Sequence, residues 1–136
     1  MDFKVVGGMN GVPTVLAPIA SATVIEPGDL VSVASGLIVK GAADSAVLAY
    51  CPNGSAAGEI QTEVTVGNDF VLEGTADANF AAAKRGTEVD MAVVNNVQLI
   101  DLGESTTDVF KVSIGVDAGT VGSANNVRVK INKPAF

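Results

Sequence analysis

The 136-residue sequence has no histidine, no tryptophan, one cysteine, one tyrosine and five phenylalanines. Each shortage removes a class of function. Without histidine there is neither a Ser-His-Asp nor a Cys-His arrangement for nucleophilic catalysis, and no His/Cys zinc site. A single thiol, Cys51, cannot form an intramolecular disulfide framework. Set before Pro52 with no base near it in sequence, it reads as a small buried or half-buried residue. Phe3, Phe70, Phe80, Phe110 and Phe136 are too dispersed for the stacking platform that single-stranded nucleic acid requires. Positive charge is scarce too: eight Lys and Arg against fifteen Asp and Glu give a net charge of −7, and the bases are scattered. Such a surface repels phosphate backbones and anionic lipid, so neither direct nucleic-acid binding nor membrane association is expected. Residues 5–25 carry no charge, but Gly7, Gly8, Asn10, Gly11, Pro13 and Pro18 interrupt them and exclude a membrane span. Ala20-Ser21-Ala22 matches the small-residue pattern of signal cleavage; the same interruptions, and Asp2 offsetting Lys4, argue against a removable leader.

What the sequence has is small apolar residues. Val, Ala and Gly number 22, 19 and 15, so the side chains suit thin sheets and close backbone approach. A chain of 13.7 kDa is one domain in size. Folded as a monomer it would expose about 6,600 Å² of the roughly 20,000 Å² its unfolded chain exposes, enough burial for a real core.

Residues 1–22 differ from the rest. They are rich in Gly, Pro, Val and Ala and sustain neither a period of two nor one of 3.6, and Pro13 and Pro18 force Val12 and Ala17 into extended conformations. The segment reads as an extended arm held either by its own body, as an edge strand, or by a neighbouring subunit. From residue 23 the pattern becomes strand, turn, strand, with candidate strands at 30–33, 37–40, 46–50, 60–66, 70–73, 87–94, 97–102, 109–114 and 127–131. Several alternate with a period of two: Thr62, Val64 and Val66 oppose Glu63 and Thr65, and Val127, Val129 and Ile131 oppose Arg128 and Lys130, the mark of half-buried antiparallel strands. Ser35-Gly36, Gly67-Asn68-Asp69 and Asn95-Asn96 read as hairpin turns. A short helix is expected between Ala76 and Arg85, capped by Thr75 or Asp77 and stopped by Gly86. The fold expected is therefore all-β: a small antiparallel β-barrel or β-sandwich body over 23–136, with one short helix and an extended N-terminal arm over 1–22.

The motifs that suggest chemistry have plainer readings. Glu88 and Asp90 share a strand face but lack a neighbouring base or apolar pocket, so they read as a solvated face. Asp77 and Asn79 lack the rest of a calcium loop, and Gly115, Gly119 and Gly122 lack the Gly-Lys-Ser/Thr of a phosphate loop. No catalytic residue, metal site or cofactor is expected. The chain ends are more informative, because Phe3 and Phe136 place large rings where termini are usually polar and frayed.

The stretch Ile25-Glu-Pro-Gly-Asp-Leu-Val-Ser-Val, then Ser35-Gly36-Leu-Ile-Val-Lys40 and the Ala-rich segment to Tyr50, resembles the opening of small capsid decoration, or cement, proteins of tailed bacteriophages. Gly86-Thr-Glu-Val-Asp-Met and Val97-Gln-Leu-Ile-Asp-Leu look like the later sheet segments of the same proteins. The similarity spans about residues 23–131. It implies a non-catalytic β-protein on the outer surface of the capsid, clamping adjacent major capsid protein subunits through arms and loops, commonly as a homotrimer. On that reading Phe3, Val5, Val6, Val12, Pro13, Val15, Leu16, Pro18 and Ile19 are arm contacts, and Pro134 and Phe136 are C-terminal contacts. Two other classes suit the length and strand density: a trimeric β-barrel nucleotide hydrolase, which needs a metal-water and phosphate site that is not visible, and a phage tail or adhesion binding module, for which the aromatic surface is poor.

Overall fold

The computed structural model describes residues 2–8 and 11–136. Alternating small apolar and polar residues, cut by turn formers, give eleven strands in the described residues: β1 (Phe3–Gly8), β2 (Thr14–Pro18), β3 (Asp29–Ala34), β4 (Leu37–Lys40), β5 (Ala49–Cys51), β6 (Gln61–Thr65), β7 (Phe70–Gly74), β8 (Glu88–Val94), β9 (Val97–Asp101), β10 (Phe110–Val112) and β11 (Val127–Ile131). They pair antiparallel in three sheets: β1-β7-β11-β10-β8-β9, β4-β3-β5, and the β2-β6 ribbon. The fold is all-β. It is layered, not a closed barrel: the large sheet curls until the segment after β7 meets β9 in one parallel bridge, Ala76 with Ile100.

Period-two alternation decides the layering. In β3, Leu30 turns to the main core and Val31 to a second one; around β5, Leu48 and Tyr50 face the first while Ala49 and Cys51 face the second. The middle sheet is therefore buried on both faces, and β3 reads as a continuous apolar run. On one side it packs against Phe70, Leu72, Met91, Ile100, Phe110, Val129 and Ile131 of the large sheet. On the other it packs against Ala17, Ile19 and Val64 of the ribbon, where Val, Ala and Cys allow close approach.

The N-terminal segment is extended, as its Pro and Gly content requires, but it does not leave the body. β1 lies along β7 from Phe3 with Gly74 to Gly8 with Phe70, and β2 lies along β6 from Thr14 with Thr65 to Pro18 with Gln61. The division into an arm over 1–22 and a body over 23–136 thus gives way to the alternative in which the chain start supplies the body's own edge strands. The physical reason is burial: Phe3, 1% exposed, tilts against Phe110 with ring centroids 5.6 Å apart, and Ala17 and Ile19 complete the second core. The accessible surface, 6591 Å², is that of a chain with nothing projecting.

Two turn assignments hold. Ser35 and Gly36, and Asn95 and Asn96, all have positive φ, as type I′ two-residue hairpins demand. The third does not: β6 and β7 belong to different sheets. Residues 66–69 form a crossover, because the Val66 and Gly67 amides donate to Pro13 O and Phe136 O, not across a hairpin. The short helix expected between Ala76 and Arg85 reduces to one 3-10 turn, Ala82–Lys84. Asp77 instead keeps its segment extended on β9: its amide donates to Ile100 O and its Oδ1 accepts from the Leu102 amide, 3.0 Å away.

Candidate interaction surfaces

Each residue expected to make contacts has a definite place. Phe3 and Ile19 are core residues, so they are corrected from contact positions to packing positions. Val12 packs half-buried on the main core. Val5 is exposed on β1, and Val6 sits where the β1 register shifts by a bulge that, with Gly7 and Gly8, breaks up the sheet's free edge. Pro13, Val15, Leu16 and Pro18 are exposed along β2; Leu16, 58% exposed, stands directly opposite Glu63, and Pro18 opposite Gln61. Pro134 is half-buried, bridged in parallel to Leu48, while Phe136 is 40% exposed.

The structure brings part of this set together. The consecutive amides of Val66 and Gly67 donate to Pro13 O at 2.9 Å and to Phe136 O at 2.8 Å, so both ends of the chain are fastened to the end of β6. Val66 is itself exposed, and Val15 lies two residues from Pro13, paired with Val64. Pro13, Val15, Val66 and Phe136 therefore share one rim. Val5 and Val6 lie on another edge, and Leu16 and Pro18 point to the ribbon's outer face.

Other surface features escaped sequence reasoning. β10 ends at Val112, leaving Ile114, 78% exposed, and Val116 on a loop beside the outer face of the large sheet. On that face Lys111 and Lys130 stand directly opposite each other on β10 and β11. The alternation of β10 and β11 with their buried neighbours Phe110, Val112, Val129 and Ile131 is the signal that places both lysines outward.

The carboxylates organise loops. Asp90, read as solvated, is 6% exposed: its Oδ1 accepts the amides of Thr106, Thr107 and Asp108 at 2.9, 2.8 and 2.8 Å. Burial alone would raise its pKa, but the three amides outweigh it and hold the carboxyl below the usual range. Asp101, opposite Asp90, is pushed the other way by desolvation and by the neighbouring Asp77 carboxylate. Burial likewise raises Asp29, although Lys40 lies 3.3 Å from its Oδ2. Burial, reinforced by Cys51, raises the Tyr50 phenol, whose hydroxyl donates to Phe3 O at 3.4 Å. None of these groups forms a nucleophile–base pair. Among the described residues no group of three or more His, Cys, Asp or Glu is placed to hold a metal ion, and no helix is long and apolar enough to cross a membrane.

No family model, no curated protein and no solved structure matches the chain.

Proposed function

We propose that the protein is a capsid decoration protein, binding the outer surface of an assembled phage head and stabilising it by bridging adjacent major capsid protein subunits. The observation that carries this reading is the rim at the end of β6, where Pro13, Val15, Val66 and Phe136 present apolar surface from both ends of the chain. The residues have no partner within the chain that would cover them, and the molecule holds no constellation for chemistry, which suits attachment better than turnover. A pressurised shell is held by many modest contacts spread over several subunits, and a rigid body with an apolar rim repeated over the shell supplies them by multivalency. Fixing both chain ends within the body lowers the ordering cost of that contact compared with a free arm. The excess of acids keeps decorated particles mutually repulsive.

Cosedimentation with expanded heads that lack this chain tests the reading. The wild-type protein is expected to pellet with heads and to raise the temperature at which they release DNA. A V66D/F136D variant, altered only at exposed positions, is expected to remain folded and to lose at least about tenfold in binding. Failure of the wild-type chain to bind heads overturns the proposal.

A further inference from the structure

We infer that a second copy of this chain docks the outer face of its β2–β6 ribbon on the Lys111–Lys130 groove, making a head-to-tail contact between copies. The contact goes beyond attachment to a shell and does not depend on it.

The lysine pair is the first observation. Lys111 and Lys130 face each other across the β10–β11 ladder, an arrangement that repels. Lys111 has no ion-pair or hydrogen-bond partner among the described residues, and Lys130 reaches Asp69 only at 4.0 Å. The two lysines flank a shallow groove of about 320 Å³ floored by Val112, Ser113, Ile114 and Gly115. An apolar groove between two uncompensated cations calls for an occupant with an apolar residue beside a carboxylate.

The chain carries such a surface itself. On the ribbon, Leu16 stands directly opposite Glu63, with Pro18 and Gln61 next along the ladder. Neither β2 nor β6 contains a base, and Glu59 lies two residues before β6. Glu63 makes one weak contact, with the Thr14 hydroxyl at 3.4 Å. Docking sets Glu63 against the lysine pair and Leu16 against Ile114.

The layering explains why this pairing is between molecules. The lysines are on the far face of the large sheet, Leu16 and Glu63 on the far face of the ribbon, and both cores with the middle sheet lie between them. The two surfaces cannot meet within one chain. A contact between unlike faces is heterologous: it closes into a ring when the rotation allows and otherwise extends as a filament.

Sedimentation of the purified chain from micromolar to millimolar concentration provides the test. The wild type is expected to self-associate at low salt and to dissociate in molar salt, where the screening length falls to about 3 Å. K111E/K130E and E59K/E63K each confront like charges and are expected to weaken association by about tenfold or more. The chain carrying all four changes restores opposite charges and is expected to regain association, with an unchanged circular dichroism spectrum throughout. A wild type that stays monomeric, an association indifferent to either pair of changes, or a four-fold variant that does not recover overturns the inference. So does a monomeric wild type whose lysine pair is needed to bind heads, since the groove then belongs to the shell.

Discussion

The side-chain amide of Gln98 binds the backbone of Leu30 as the peptide of a neighbouring strand would: Oε1 accepts the Leu30 N–H at 2.8 Å and Nε2 donates to the Leu30 carbonyl at 2.8 Å. Nε2 also donates to Gly41 O at 3.1 Å. One buried side chain thus joins the large sheet to the middle one, and Lys40 Nζ, on Asn96 O and Asp29 Oδ2, ties the same two hairpins nearby.

Replacing Gln98 by Met keeps the volume but strands the Leu30 N–H and the Gly41 carbonyl's second partner. The expected loss is roughly 2–4 kcal/mol, read as a lower urea midpoint at unchanged slope. Gln98→Glu is expected to be worse, because a carboxylate would face two carbonyls.

Phe3 lies over Gly74, where an added Cβ would come within 2.5 Å of Phe3 Cε1. Gly74→Ala is expected to expel the ring and cost about 1–3 kcal/mol, and Phe3→Ala to cost about 3–5 kcal/mol. Thermal melts that show no change for either variant would mean that the chain start is a detached arm after all.

Asp90 sets an acid limit. Its folded pKa lies below the ordinary 3.8, so the stability it supplies is present above that value and drains away as pH falls through the folded pKa. Asp90→Ala leaves three amides without their acceptor and is expected to cost about 3 kcal/mol at neutral pH. Asp90→Asn keeps an acceptor oxygen, loses less, and flattens the acid limb of a stability–pH curve.

Asp101 behaves oppositely. Its folded pKa lies above 3.8, so the native state holds a proton that the unfolded chain has given up, and stability falls as pH rises from 3.8 through the folded value. Asp101→Asn is expected to remove that decline and to stabilise the protein at pH 7 by a few tenths of a kcal/mol, discounted for partial exposure. A variant less stable than wild type at pH 7 contradicts this account.

Much of the architecture was legible because it is local. Period-two alternation located all nine strands between residues 23 and 136, and Asn95-Asn96 and Ser35-Gly36 located the two tight hairpins. The failures are non-local. Nothing near Phe3 or Ala17 in sequence reveals the partners, Gly74 and Thr62, that take the chain start into the sheets. Gly67-Asn68-Asp69 has turn chemistry, yet whether a turn closes a hairpin or changes sheets depends on which strands flank it. Asp77 and Asp90 have helix-capping and surface-strand readings locally, and only the tertiary position of 102–108 gives them backbone amides to hold. The rim on β6 was half legible: Pro13, Val15 and Phe136 stood out in sequence, but not that adjacent amides gather them.

The strand order has a consequence for biosynthesis. β7 sits between β1 and β11, and β10 between β11 and β8, so the last strand made fills the centre of the large sheet. Until residue 131 clears the ribosome, two central strands keep bare edges and their Phe and Val side chains lack a cover. The nascent polypeptide therefore completes its native sheet only on release, slowly for its size and with chaperone demand, and a premature stop anywhere upstream yields an aggregating fragment, not a smaller working domain.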